Sequence, residues 1–188
     1  INRKGRIKTM RTARKIGQVS LLFWLFVFLV GCQTMDPNFS SFLDSDSNFN
    51  MPEQIILPRD HAEIRGKSRA ETNVYNAIEL GKQKRYTEAD KLLREVRGLQ
   101  YKEGEAYRSI TNALAVIALK RGDLGAFRRL AGELDILLGK PLRVPGKHLS
   151  IISLERAISG GPLPLNAPER FRQFRNNYFS NLSKTRKL

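Results

Sequence analysis

Two observations predict an all-α fold for residues 67–188 of this 188-residue chain. Between residues 67 and 138, apolar side chains recur every three or four positions, which is the period of a helix that buries one face. Short breaks containing glycine or charged residues separate these stripes, so consecutive helices must fold back on one another. A single amphipathic helix cannot bury its apolar face alone, and the sequence therefore predicts helices packed as hairpins.

The charges are distributed unevenly along the chain. Of the formal net charge of +15, residues 1–31 carry +7, residues 140–188 carry +8, and the residues between them sum to zero. The isoelectric point near 10.4 is therefore a poor indicator of nucleic-acid binding if the basic head is removed. One cysteine and two histidines exclude a disulfide framework and a Cys/His zinc site.

The beginning of the chain, residues 1–31, has the organisation of an export signal. A basic flank, residues 11–15, precedes ten consecutive apolar residues, 21–30. An apolar helix of about twelve residues is about 18 Å long, whereas the hydrocarbon core of a bilayer is about 30 Å thick. We therefore predict a signal peptide over residues 1–31, with translation beginning at Met10, in preference to a membrane-spanning helix.

The end of the apolar run, Leu29-Val30-Gly31-Cys32, resembles the lipobox of bacterial lipoproteins. The resemblance implies attachment of a diacylglycerol to the Cys32 thiol, cleavage just before it, and acylation of the new amino terminus, with palmitate as a typical acyl group. Gln33 follows the cysteine, which in that family implies release to the outer membrane, and we expect the periplasmic face. The alternative is a buried cysteine after a short hydrophobic helix.

Residues 32–66 are predicted to form a lipid-anchored flexible tether, a disordered segment between the anchor and the domain. They are rich in Asp, Asn, Ser and Pro, a composition that favours turns and solvated coil. About 34 flexible residues would average about 30 Å end to end and hold a domain clear of the lipid headgroups. Residues 55–57 are apolar, and the sequence leaves open whether they form a strand or pack on the domain.

Four apolar stripes define the helices of the predicted hairpins, with breaks near residues 84, 98–104 and 122. The stripes are Val74, Ala77, Ile78 and Gly81; Ala89, Leu92, Leu93 and Val96; Tyr107, Ile110, Leu114, Ile117 and Ala118; and Leu124, Phe127, Leu130, Ala131 and Leu134.

Two of the breaks are similar in sequence. The alignment that places Lys84 on Gly122 also places Ala89 on Phe127. Residues 67–138 resemble the tetratricopeptide (TPR) repeat, in which a small residue and an aromatic lie at the turn and an alanine opens the second helix. The spacing exceeds the usual repeat of about 34 residues, and Phe127 stands where a small residue is expected. The resemblance implies a TPR-like short α-solenoid, with a generic helical bundle as the alternative.

The tail is basic and aromatic, with a fifth helix predicted over residues 148–159 and a last one starting near Asn166. Three interpretations compete for the last helix: a cap on the preceding hairpin, a docking surface for an acidic partner or anionic glycan, and an amphipathic helix on anionic headgroups. The candidate partner-binding residues are Arg170, Phe171, Arg172, Phe174, Arg175 and Tyr178.

The chain has no recognisable catalytic motif. Phosphate-loop, dinucleotide-binding and HExxH patterns are missing from the sequence, and acylation would remove the free thiol of Cys32. His61 lies in the predicted tether and His148 in a basic stretch, so we expect both imidazoles to be solvated. These features predict a protein that is not an enzyme and has no cofactor and no metal site.

The expected function is that of a membrane-anchored lipoprotein, a non-catalytic scaffold or adaptor in a cell-envelope assembly. The resemblance to small TPR lipoproteins suggests secretion, pilus or polysaccharide-export machinery and does not choose among them. The expected partners are the lipid bilayer, through acylated Cys32, and an envelope protein, with no nucleic acid. The alternative is a binder of peptidoglycan or another anionic envelope polymer through the basic C-terminal helix.

Overall fold

The computed structural model describes residues 37–58, 64–138 and 146–185, and within these ranges every regular element is helical, which confirms the all-α class. A 3₁₀ helix, Ser47–Phe49, follows the first α-helix. None of the helices in these ranges has the length and apolar character needed to cross a membrane. The α-helices of these ranges are α1 (Pro37–Ser45), α2 (Ile64–Lys82), α3 (Tyr86–Gly98), α4 (Glu105–Lys120), α5 (Leu124–Leu138), α6 (Gly146–Ser159) and α7 (Glu169–Thr185).

The helices pack largely in chain order around α4. The α2–α3 and α4–α5 pairs form the two predicted hairpins, α3 contacts α4, and α5, α6 and α7 continue the series. The helix α4 also contacts α6, and every side chain over residues 110–119 is buried. A helix that is buried on all sides must be surrounded by other elements, so α4 forms the centre of the domain.

The two hairpins turn through the same backbone conformation. In the first turn the amide of Arg85 donates to the Leu80 carbonyl at 2.8 Å and the amide of Lys84 donates to the Gly81 carbonyl at 3.0 Å. Both bonds recur in the second turn, at the positions that the sequence alignment of Lys84 with Gly122 makes equivalent. This pattern is a Schellman helix end, whose penultimate residue has left-handed backbone. Accordingly, φ is 63° at Lys84 and 73° at Gly122.

The segment of residues 37–58 is folded onto the bundle, and the prediction of a flexible tether is wrong for these residues. Phe39, Leu43, Phe49 and Leu57 are all buried, and the 3₁₀ helix contacts α6. Many of the residues that favour turns in this segment lie in the helix α1 instead, and its few apolar side chains have a matching apolar surface on helices from the far end of the chain. The folded domain therefore includes residue 37 onward, and residues 32–36 lie outside the described ranges.

Further contacts attach this N-terminal segment to the helices of the two hairpins. Lys120 Nζ at the end of α4 lies 2.9 Å from Asp44 Oδ1. The side chain of Met51 fills the space beside Gly81 in α2, where a Cβ atom would stand 2.7 Å from it. Leu57 is buried and Ile55 is half-buried without forming a strand, whereas Ile56 is 77% exposed, so the apolar residues 55–57 pack on the domain only in part.

His148 in α6 is fully buried, and the prediction that it is solvated is wrong. Its Nδ1 lies 3.1 Å from Asn112 Oδ1 in α4, and its Nε2 lies 3.6 Å from Glu105 Oε1. Burial lowers the pKa of His148, because removing water disfavours the charged imidazolium more than nearby Glu105 favours it. The basic residues that precede His148 suggested a solvated stretch, whereas the helix turns this side chain inward. His61 lies outside the described residues.

Candidate functional site

A groove of about 520 Å³ lies between α1 and α7 and is the candidate functional site. Phe42 from α1 and Phe174 from α7 form its aromatic wall, with ring centroids 4.5 Å apart. Most of the other lining side chains are polar. From α1 these are Ser41 and Ser45, and α7 contributes Arg170, Gln173, Asn177, Tyr178, Ser180, Asn181 and Lys184.

Aromatic packing brings α1 and α7 together. The Phe39 and Phe174 rings are 6.0 Å apart, and the Phe42 and Phe171 rings are 5.8 Å apart. Phe49, from the 3₁₀ helix, meets Phe171 edge-on at 6.4 Å. Tilted and edge-on rings at these separations attract one another beyond the simple burial of apolar area. The apolar face of α7 is therefore used to hold the N-terminal segment in place, and this packing creates the groove.

Arg170 at one end of the groove has a structural role as well. Its Nε lies 2.9 Å from Oδ2 of Asp46, a carboxylate that is only 9% exposed, and its Nη2 donates to Ser150 Oγ at 3.2 Å. The other oxygen of Asp46 accepts from the Asn48 amide at 3.0 Å and caps the 3₁₀ helix. Arg170 thus joins α7 to the N-terminal segment and to α6.

Three amide side chains follow one another along the α7 side of the groove. Gln173, Asn177 and Asn181 are spaced four residues apart and therefore share one face of the helix. Each carries a carbonyl acceptor and two N–H donors, so the row can pair with a ligand that offers both donors and acceptors. We call these three residues the amide row. Lys184 supplies a positive charge beyond Asn181, at the far end of the groove from Arg170.

Three of the six predicted partner-binding residues line this groove: Arg170, Phe174 and Tyr178. Phe171 is fully buried and Phe174 is 8% exposed, because both rings pack against Phe42 of α1. The sequence showed an aromatic stripe correctly but not that α1 covers it. Tyr178 is half-buried and stacks on Phe174 with ring centroids 5.8 Å apart.

Arg172 and Arg175 are not among the residues that line the groove. Arg172 is exposed, with Nη1 3.4 Å from Glu169 Oε2, and Arg175 Nη1 donates to the Gly161 carbonyl at 3.3 Å. Cys32, the predicted lipid-attachment residue, lies outside the described residues. The structure thus gathers only half of the predicted set into one site.

Sequence reasoning missed the amide row and the serines of α1. The four-residue spacing of Gln173, Asn177 and Asn181 is visible in the sequence and is a usable signal for a polar helix face. Ser41 and Ser45 gave no such signal, because their segment has the composition of solvated coil.

The groove is suited to binding by hydrogen bonds. Its lining offers amides, hydroxyls and two cationic groups beside an aromatic wall, a combination that fixes the orientation of a polar ligand. In the parts of the chain that the structure describes, no group of three or more His, Cys, Asp or Glu side chains is placed to hold a metal ion.

Comparison of the chain with protein-family models, with curated proteins and with solved structures finds no match. The function must therefore be inferred from the groove and from the sequence features.

Proposed function

We propose that this chain is a bacterial lipoprotein, acylated at Cys32, whose helical domain is a non-catalytic adaptor for a cell-envelope assembly. In this proposal the adaptor binds an extended segment of an envelope protein in the α1–α7 groove. The lipobox-like Leu29-Val30-Gly31-Cys32, with the basic flank and the apolar run before it, supports the anchor and a periplasmic location at the outer membrane. The amide row carries the adaptor role.

The spacing of the amide row matches an extended peptide. Side chains four residues apart on a helix are about 6 Å apart along its axis, and alternate residues of an extended chain are about 6.6 Å apart. Successive amides of the row can therefore meet successive peptide groups that face the same way. From Arg170 to Lys184 the helix extends about 21 Å, enough for about six extended residues.

The two hairpins support a TPR-like classification as part of this proposal. Their turns share the same hydrogen bonds at equivalent positions and the same left-handed position, Lys84 in one and Gly122 in the other. Protein binding is the usual role of such helical repeats, which present extended surfaces. The length of the repeat and the bulky Phe127 are the departures from the pattern. Secretion, pilus and polysaccharide-export assemblies all remain within this proposal.

One observation favours an anionic polymer as the alternative ligand. The helix α7, Glu169–Thr185, has four basic residues and one acidic residue, a net charge of +3, and Lys184 lies in the groove itself. Peptidoglycan or another anionic envelope polymer would be attracted to this helix, with an affinity that falls as salt screens the charges. If the purified protein fails to bind peptidoglycan at low ionic strength, this alternative is eliminated.

The groove offers a matched pair of neighbouring asparagines for testing the adaptor role. Asn177 lines the groove, whereas Asn176 is equally exposed on α7 but does not line it. A photo-crosslinking residue placed at position 177 in cells should capture the envelope partner, and one at position 176 should not. Asn177→Ala should weaken binding of the identified partner about fivefold, which corresponds to about 1 kcal/mol for one hydrogen bond. Asn176→Ala should leave the affinity unchanged.

Two results would contradict the proposal. Equal crosslinking from positions 176 and 177 would mean that the groove does not recognise the partner. An intact mass of the native protein that shows an unmodified Cys32 with residues 10–31 still attached would remove the lipid anchor.

A further inference from the structure

We propose that the end of the domain where α1 begins and α7 ends lies on the membrane surface and contacts the headgroups of anionic phospholipids. This inference depends on the proposed acylation of Cys32. It adds to that proposal an orientation of the folded domain and a second, electrostatic contact with the bilayer.

The length of chain between the anchor and the fold restricts the position of the domain. The helix α1 begins at Pro37, only five residues after Cys32. Even fully extended, five residues span at most about 17 Å. The start of α1 must therefore stay within that distance of the acylated cysteine. The domain cannot stand about 30 Å from the bilayer, as a flexible tether over residues 32–66 would allow.

The pairing of α1 with α7 shows which part of the domain lies at the same end as the start of α1. Asp46, just after α1, pairs with Arg170 near the beginning of α7, while Phe39, near the start of α1, packs on Phe174 one turn further along. The two helices therefore run in opposite directions. The C-terminal half of α7, which ends near Lys184, consequently lies at the same end of the domain as the start of α1.

The chemistry of this end fits an anionic lipid surface. Residues 170–188 contain no acidic residue, and in the sequence Arg186 and Lys187 follow Lys184, which lies in the last turn of α7. Each basic side chain near such a surface is attracted to its negative potential, and an acyl anchor combined with a basic cluster binds membranes more stably than either alone.

Exposed apolar side chains accompany the basic residues in the same half of α7. Phe179 is 41% exposed and Leu182 is 38% exposed. Large apolar groups beside cationic ones suit the boundary between headgroups and acyl chains. The groove would then open beside the bilayer, where it can accept a segment that emerges from the membrane.

The orientation can be tested with the acylated full chain reconstituted in vesicles of phosphatidylethanolamine and phosphatidylglycerol. Because acylation blocks the native thiol, Ser183→Cys and Leu165→Cys each provide one labelling site. Ser183 is exposed near the end of α7, and Leu165 is 98% exposed just before α7 begins, at the opposite end of this helix. A nitroxide quencher on the lipid headgroups should quench a fluorophore at position 183 several-fold more strongly than one at position 165.

Charge reversal tests the electrostatic contact. In the Ser183→Cys protein, Lys184→Glu should lower the quenching several-fold, and replacing phosphatidylglycerol by phosphatidylcholine should do the same. Lys91→Glu is the matched control, since Lys91 is an exposed lysine on α3 outside the groove, and it should leave the quenching unchanged. Circular dichroism checks that each variant keeps its helix content.

The outcomes separate this inference from the proposed function. Equal quenching at positions 183 and 165, or quenching that is independent of phosphatidylglycerol, with Cys32 acylated would overturn the orientation and leave the adaptor proposal intact. Protection of position 183 by soluble peptidoglycan fragments but not by vesicles would overturn the lipid assignment. An unmodified Cys32 in the same preparation would overturn both proposals.

Discussion

The α4–α5 hairpin lies at the centre of the domain and the α2–α3 hairpin at its edge, although both turn through the same backbone conformation. In α4 every side chain over residues 110–119 is buried, whereas in α3 only Ala89, Leu93 and Val96, one stripe of the helix, are buried. A repeated local structure therefore occupies two different environments. Backbone geometry is decided within the turn, but burial is decided by the elements that pack around it.

The two turns also use different residues at equivalent positions. Gly122 takes the left-handed conformation at no steric cost, whereas Lys84 takes it with a side chain. Asp123 caps α5, because its Oδ1 accepts from the Ala126 amide at 2.8 Å. Arg85, at the position equivalent to Asp123, makes no cap and pairs with Glu88 instead. The central turn therefore has the stronger local sequence signals.

The largest difference between the hairpins is expected at residues 89 and 127, which are equivalent when Lys84 is aligned with Gly122. Both side chains are fully buried, but one is alanine and the other phenylalanine. Phe127→Ala should lower the free energy of unfolding by about 3 to 5 kcal/mol, because it leaves a cavity in the core. Ala89→Phe should also destabilise, by about 1 to 3 kcal/mol, because it overpacks a filled site. Urea denaturation measures both changes.

A nearly neutral result for either substitution would contradict this expectation, because it would mean that the sites of residues 89 and 127 accept the same side chains. Tyr86→Ala provides a comparison in the first turn, since Tyr86 is only half-buried at the start of α3. Tyr86→Ala should lower the free energy of unfolding by clearly less than Phe127→Ala does, because the tyrosine side chain buries less apolar area when the protein folds.

A smaller effect is expected from the left-handed residues of the turns. Gly122→Ala should destabilise the protein by about 1 kcal/mol, because a Cβ is disfavoured at a φ of 73°. Lys84→Gly should stabilise it by less than about 1 kcal/mol, since the relief of strain is partly offset by the greater freedom of glycine in the unfolded chain. Thermal and urea unfolding measure whether each substitution raises or lowers the stability.

A glycine-to-alanine substitution within a helix should instead raise the stability of the protein. Gly132 lies in the middle of α5, and apart from its chain neighbours and the backbone of its own helix no atom stands within 4 Å of the place where its Cβ would be. Gly132→Ala should therefore stabilise the protein by about 1 kcal/mol. A loss of stability there together with a gain at Gly122→Ala would contradict the turn assignment.

The fold was predictable from the sequence wherever the apolar pattern is local. The stripes beginning at Val74, Ala89, Tyr107 and Leu124 each lie in a helix of the structure, and the alignment of Lys84 with Gly122 locates both turns. The folding of residues 37–58 was not predictable, because a few separated phenylalanines become a buried cluster only when α7 meets them from the far end of the chain.

The candidate site was predictable only in part for the same reason. Arg170, Phe174 and Tyr178 belong to one helix, and the sequence identified that helix. Which of its faces remains open depends on where α1 packs, and this is long-range information. The burial of His148 is another consequence of long-range packing, because α6 turns this residue toward Asn112 in the central helix.

The smallest expected difference between the hairpins is in how stability depends on pH, and we expect this dependence to come from the central hairpin. Among the described side chains of residues 69–98, no buried one is polar, whereas α4 packs on His148. Burial holds the pKa of His148 below its ordinary value of 6.5, with Lys147 and Arg108 acting in the same direction and Glu105 opposing them. Below pH 6.5 the unfolded chain therefore binds more protons than the folded one, and stability falls as the pH decreases.

Urea denaturation at several pH values between about 5 and 7.5 tests this assignment. This window excludes Asp44 and Glu88, whose salt bridges lower their pKa values, so their stabilising contributions disappear only in stronger acid. His148→Gln should flatten the dependence of unfolding free energy on pH, since an amide does not titrate. His61→Gln, which removes the other histidine of the chain, should retain the slope. A slope that persists in His148→Gln and disappears in His61→Gln would mean that the buried imidazole beside α4 is not the group that senses pH.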